Sequence, residues 1–175
     1  MNNYKETTSV FTPATQTALP GSQFPFRSFQ MEVKNLTPQG FLEGYASTFT
    51  PDRDKDIIIP GAFRHTLKEW REENKSPFLL WQHRLDEPIG RWIELQENTQ
   101  GLYVKGQLLM RLRRAQEAHA LIQAGILQGL SIGFKTVVSQ FDRGRNLRKI
   151  FQLKLFEISI VTLPANPLAQ INQFH

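Results

Sequence analysis

Past the first thirty or so residues, the chain alternates apolar and polar side chains in short runs punctuated by Gly and Pro. Phe29, Met31 and Val33 alternate with polar partners, the period of a half-buried strand. "TPQG" (37–40) is a turn, and "FLEGYASTF" (41–49) predicts a second strand in which Gly44 marks a bulge. The polar loop "DRDKD" leads into a short strand, Ile57–Ile59, closed by Pro60-Gly61. Phe63, Leu67 and Trp70 recur at helical spacing and predict an amphipathic helix over 62–74. "PFLLWQH" (77–83) predicts a buried strand ending at His83, with a polar loop after it. Residues 88–109 predict a hairpin turning at "ENTQG". Leu112, Ala115, Ala118 and Ile122 form one stripe of a second helix over 111–125, with Gly125 as its C-cap. Two long strands, 126–141 and 147–162, joined by "DRGRN", precede the break at "LPANP". The pattern predicts a mainly β fold with helices (α+β): a small antiparallel β-barrel with helices packed outside.

Residues 1–27 are polar and rich in Thr, Ser and Pro, with no sustained period, and read as a flexible N-terminal arm ahead of a domain over 28–175. The 175 residues suit one domain, and the thirteen Phe can build a real core. No run approaches the ~18 apolar residues of a membrane span, and the N-terminus has no signal-peptide pattern. The absence of cysteine excludes disulfides, thiol nucleophiles and thiolate zinc sites, and fits a reducing cytoplasm. The net charge of +5 favours anionic partners. Arg111, Arg113 and Arg114 read as a solvated helix face without interleaved aromatics, so no nucleic-acid partner is expected. Asp52, Asp54 and Asp56 alternate like a calcium loop, but Ile57 and Phe63 stand where its Gly and Glu would be. His65, His83, His119 and His175 lack metal-ligand spacing, and there is no glycine-rich phosphate fingerprint. No metal or cofactor is expected.

Three residues carry candidate chemistry. In "GLSIGF", Ser131 lies between Gly129 and Gly133, which suggests close approach to the backbone. It is either a core serine bonded to a neighbouring carbonyl or a nucleophile. Centring the last hairpin on Gly144 sets Ser131 opposite Glu157. Glu157 shares a face with Phe151, Leu153 and Leu155. A carboxylate there must be paired, hydrogen-bonded or raised in pKa, so it is either an ion-pair partner or part of a site. His83, where a core strand emerges, is well placed for proton transfer, or is a half-buried histidine bonded to backbone. Together they supply a nucleophile, a base and an acid to orient the base.

The motifs "GYASTF", "D…IIIPGAF", "LLWQH…PIGRW", "GL.V.G.L", "GILQGLSIGF" and "FEISIVTLPANPLA" occur in this order over about residues 41–170. This series resembles the prohead maturation protease family of tailed bacteriophages, grouped with the herpesvirus assemblin serine proteases. The resemblance puts the family's histidine on His83 and its serine on Ser131. Glu157 falls where the herpesvirus enzymes use a second histidine. Lys55 and Arg84 depart from the Gly and Asp that members often carry there. The resemblance implies an assemblin-like barrel wrapped by helices. It implies a cofactor-free serine endopeptidase inside the assembling procapsid in the host cytoplasm. Such an enzyme cuts scaffold protein or the scaffolding segment of the major capsid protein, and often itself; a homodimer is also anticipated. The alternative is a capsid-assembly or scaffold protein that keeps the fold without the chemistry. Deleting residues 1–27 is expected to leave Tm nearly unchanged in a thermal melt; a large drop would show that the arm packs on the domain.

Overall fold

A computed structural model describes residues 37–171. The arm over 1–27 and the strand expected at Phe29, Met31 and Val33 lie outside the described residues. The elements are β1 (Phe41–Thr48), β2 (Asp56–Ile58), α1 (Arg64–Glu72), β3 (Phe78–Trp81), β4 (Arg84–Glu97), β5 (Gly101–Leu108), α2 (Arg113–Gln123), β6 (Gly129–Asp142) and β7 (Leu147–Val161).

All the strands belong to one seven-stranded sheet of order β1-β5-β4-β3-β7-β2, with β6 paired to β7. The fold is mainly strand, α+β. The longest strand, β7, organises it. One of its edges pairs with β6 throughout; the other takes β2 at its start and β3 at its end. Both of those contacts are parallel, so the sheet is mixed, where alternation along the chain had pointed to antiparallel pairing alone. Alternation reports the period of a strand, whereas parallel partners arrive over long connections that leave no local signal. The sheet is curled. The segment after β7 bridges β1 and β6: it accepts Tyr45 N–H at Gln170 O and Leu130 N–H at Ala169 O, and donates Ile171 N–H to Gln128 O just before β6, each at 2.9 Å.

Period-two alternation puts Leu102, Val104 and Leu108 of β5 into the core with Leu42, Leu79 and Ile158. On β1 the irregularity lies between Tyr45 and Ser47, not at Gly44. On β7, Phe151 is the extra residue between the Ser139–Ile150 and Val138–Gln152 rungs. The irregularity turns Phe151 outward, 42% exposed, while Ile150, Leu153 and Leu155 are buried. Phe156 is likewise the extra residue between the Phe134–Leu155 and Gly133–Glu157 rungs, so Leu153 and Leu155 face the core with Ile158 and Ile160, and Glu157, expected on their face, lies on the opposite one with Ser159.

Helix α1 lies on β7, where Trp70 Nε1–H donates to Leu155 O at 3.2 Å and Leu155 N–H donates to Thr66 Oγ1 at 3.1 Å. Ahead of it, the Glu97 carboxylate accepts the N–H groups of Gly61 and Phe63, which answers orphan donors and complements the positive end of the helix. Helix α2 buries Ala115, Ala118 and Ile122. Leu112 precedes it in extended conformation. Gly125 follows at φ +68°, the left-handed residue expected past a helix end. Arg114 is not simply solvated: it bonds Glu87 and Glu117 and stacks over the Trp81 ring at 5.4 Å. In the 52–56 loop, Asp52 Oδ1 accepts the N–H groups of Asp54 and Asp56. Lys55 sits at φ +63°, which explains why a Gly suits that position. Buried Asp56 pairs with both arms of Arg148.

Asn166 ties the C-terminal segment to the end of β1. Its Nδ2 donates to Thr48 O (3.1 Å), and its Oδ1 accepts from Thr48 Oγ1 (3.1 Å) and Leu168 N–H (3.0 Å). Asn166→Ala strands these buried partners, so a loss of about 1–3 kcal/mol is expected in a denaturant melt.

Candidate active site

The turn between β3 and β4 has only two residues, Gln82 and His83, flanked by the paired Trp81 and Arg84. Strand β4 therefore begins at Arg84, where a polar loop was expected. Both turn residues have positive φ, +52° and +59°, as a type I′ turn requires. Non-glycine residues rarely adopt this conformation without external support. Here Gln82 N–H donates to Ile160 O at 3.0 Å. The Gln82 amide also clamps Thr162, donating to its hydroxyl at 2.9 Å and accepting its N–H at 3.2 Å. His83 N–H donates to Ser159 Oγ at 3.1 Å. Four bonds thus lock the turn onto the end of β7.

The His83 ring reaches the carboxylate of Glu157, with Nδ1 2.7 Å from Oε1. Glu157 is 5% exposed, and its other oxygen accepts the Ser159 hydroxyl at 2.5 Å. An ionised carboxylate only accepts, so Nδ1 carries the proton and Nε2 is left with its lone pair in the neutral ring. The hydrogen bond from Glu157 raises the His83 pKa above its ordinary value; burial opposes this, and the Glu157 charge adds to it.

Ser131 stands on the neighbouring strand. Its cross-strand partner is Ser159, and Glu157 lies opposite Gly133. The register is thus displaced by two residues from the hairpin centred on Gly144. The turn itself pairs Asp142 with Leu147, one residue off that centre, and the irregularity at Gly133/Phe134 adds the second, while those at Val138/Ser139 and Thr136/Val138 cancel. The displacement explains Gly133: a Cβ there would lie 2.1 Å from Glu157 Oε1. Ser131 is 6% exposed, and its hydroxyl makes no hydrogen bond with a described residue.

The structure therefore joins His83 to Glu157 directly and sets Ser131 beside them through Ser159. Ser159 is the residue that sequence reasoning missed. Its signal was available in "FEIS", since a serine two residues after a buried acid shares its face. Asp86, the nearest acid following His83, instead pairs with Arg84 at 3.0 Å. No cluster of metal-ligating side chains occurs among the described residues.

The chain belongs to the caudovirus prohead serine protease family, whose family model matches residues 29–175. It is 38% identical over 138 residues to the prohead protease of Enterobacteria phage HK97, covering 76% of this chain and 59% of that protein. To the prohead protease of Escherichia phage T5 it is 30% identical over 131 residues, covering 75% and 61%. To the capsid polyprotein of Pseudomonas phage PAJU2 it is 36% identical over 148 residues, covering 81% of this chain and 21% of that one. The chain spans about three-fifths of the length of the two prohead proteases. Among solved structures, the bacteriophage T4 capsid assembly protease matches with a TM-score of 0.56 at 12% identity, covering 69% of this chain and 82% of that one. The KSHV protease in complex with a hexapeptide phosphonate inhibitor gives 0.51 at 14% identity, covering 77% and 64%. These two share the fold.

A histidine whose folded pKa is raised contributes stability below its unfolded pKa, and that contribution is lost as pH rises through the folded value. Glu157→Gln removes the charge, so the His83 titration followed by NMR should fall toward the ordinary imidazole range. The stability difference between wild type and Glu157→Gln should be largest in mild acid and shrink as pH rises past the wild-type His83 pKa.

Proposed function

We propose that the protein is a serine endopeptidase of prohead maturation. It cuts scaffold protein or the scaffolding segment of the major capsid protein, and itself, inside the assembling procapsid in the host cell. The observation that carries this reading is the His83 Nδ1–Glu157 bond on a strand adjoining Ser131. Family membership supports it, and a relative named as a capsid polyprotein is consistent with a capsid-protein substrate. In this reading Ser131 Oγ attacks the scissile carbonyl while His83 Nε2 takes its proton. Glu157 holds the Nδ1–H tautomer and stabilises the imidazolium that forms; His83 then protonates the leaving amine, and water releases the acyl group. A hydroxyl without a hydrogen-bond partner among the described residues can rotate toward the base when substrate arrives, since catalytic contacts often tighten only in the complex. The reading includes full barrel closure with helices around it, a homodimer, and removal of the 1–27 arm by self-cleavage. No helix among the described residues is long and apolar enough to cross a membrane.

The test is incubation of purified protein with its own capsid and scaffold proteins, followed by intact-mass analysis. Ser131→Ala should keep the fold, because it removes only a hydroxyl from a short side chain, and should lower proteolysis by several orders of magnitude. Near wild-type processing by a folded Ser131→Ala protein would sink the assignment and favour an assembly protein without the chemistry. Glu157→Gln, with folding checked separately, should lower kcat by roughly 10–10³.

A further inference from the structure

We propose that Ser159 is a positioning residue for the His83–Glu157 pair, acting through the carboxylate to hold the imidazole in its Nδ1–H tautomer. The proposal rests on the reading of His83 as the base, but the geometry behind it can be tested without any proteolysis. Ser159 is completely buried. Its oxygen has two described partners of opposite character: it accepts the N–H of His83 at 3.1 Å, and it lies 2.5 Å from Glu157 Oε2. A backbone N–H can only donate, so the one hydroxyl hydrogen is directed to the carboxylate. The carboxylate oxygens are thereby divided, Oε2 to Ser159 and Oε1 to His83 Nδ1.

The second consequence is mechanical. Glu157 has three rotatable side-chain bonds, and without Ser159 one of its oxygens loses its anchor. The same hydroxyl links β7 to the backbone of the residue whose ring Glu157 orients, so ring and carboxylate are held to one reference point. Glu157 on β7 is the charged group that acts on His83. On β4, Arg84 and Asp86 pair with each other. On β6, the facing residues Ser131 and Gly133 carry no charge. The Gln82–Thr162 clamp holds the turn independently, so removing the Ser159 hydroxyl should loosen the pair while the turn survives.

The experiment uses the full chain labelled with ¹⁵N-histidine, with the His83 signals assigned by their loss in His83→Asn. In wild type, neutral His83 should be in the Nδ1–H form. In Ser159→Ala the Nε2–H form should gain a substantial share, and the His83 pKa should move down toward the ordinary value. On a capsid-derived peptide, kcat should fall roughly tenfold or more with little change in KM. Ser159→Cys keeps the shape with a weaker donor, should lie between the two, and serves as the test if Ser159→Ala fails to fold. A folded Ser159→Ala or Ser159→Cys protein with the wild-type tautomer and titration overturns the proposal. Loss of the serine-protease reading would show elsewhere, as undiminished processing by Ser131→Ala, and would leave the tautomer result standing.

Discussion

The site depends on burying one carboxylate. Glu157 is buried on the face of β7 that it shares with Ser159, opposite the core face that carries Leu153, Leu155, Ile158 and Ile160. An ionised group there is stable only if its lone pairs are answered. Ser159 answers one oxygen and His83 the other. Each partner is itself constrained by β7: Ser159 is two residues along the same strand, and His83 is tied to it by backbone bonds from its turn. Removing His83 or Ser159 takes a partner from a carboxylate that is almost wholly buried, so the cluster behaves as a unit.

The backbone carries the strain that this arrangement requires. A two-residue turn with positive φ at Gln82 and His83 is unfavourable for non-glycine side chains. A glycine at the second position would relax it but would supply no imidazole. The Gln82–Thr162 clamp and the Ser159 contact stabilise the turn from outside, at the level where β3 runs parallel to β7. The parallel pairing is thus part of the site's construction: it delivers the end of β3 beside Ile160, within reach of Glu157.

Much of this was legible in the sequence where the signal was local. Both helices, the β4–β5 hairpin and the long β6–β7 hairpin follow from periodicity and turn residues. Glu157 stands out as an acid within an apolar run, although the face that alternation assigned it, with Leu153 and Leu155, is not the one it occupies. What was not legible was cumulative or distant. Pairing arithmetic from Gly144 assumes a centred turn and a regular ladder, but the turn is one residue off centre and the irregularity at Gly133/Phe134 adds another, which moves the partner of Ser131 from Glu157 to Ser159. Phe151 left the apolar face for the same reason. The parallel partners of β7 have no local signature, and the turn at His83 lacks the Gly or Asn that usually reveals its type. Register and the position of His83 suggested the grouping of His83, Ser131 and Glu157, and the motif series strengthened it.

The two glycines around Ser131 now have separate physical causes. A Cβ at Gly133 would meet the Glu157 carboxylate, and one at Gly129 would come 2.6 Å from Val161 O and 2.8 Å from the Pro164 ring. Residues 129, 131 and 133 share one face of β6. On that face the strand carries hydrogen, hydroxymethyl, hydrogen. The bare flanks let β7 and the Pro164 segment close in on either side of Ser131. The bland reading of "GLSIGF", a core serine satisfied by a neighbouring carbonyl, requires a hydrogen bond that Ser131 does not make with any described residue. A small polar group kept in a tight frame, paired across the strands with the serine that bonds Glu157 and the His83 backbone, suits the proposed nucleophile.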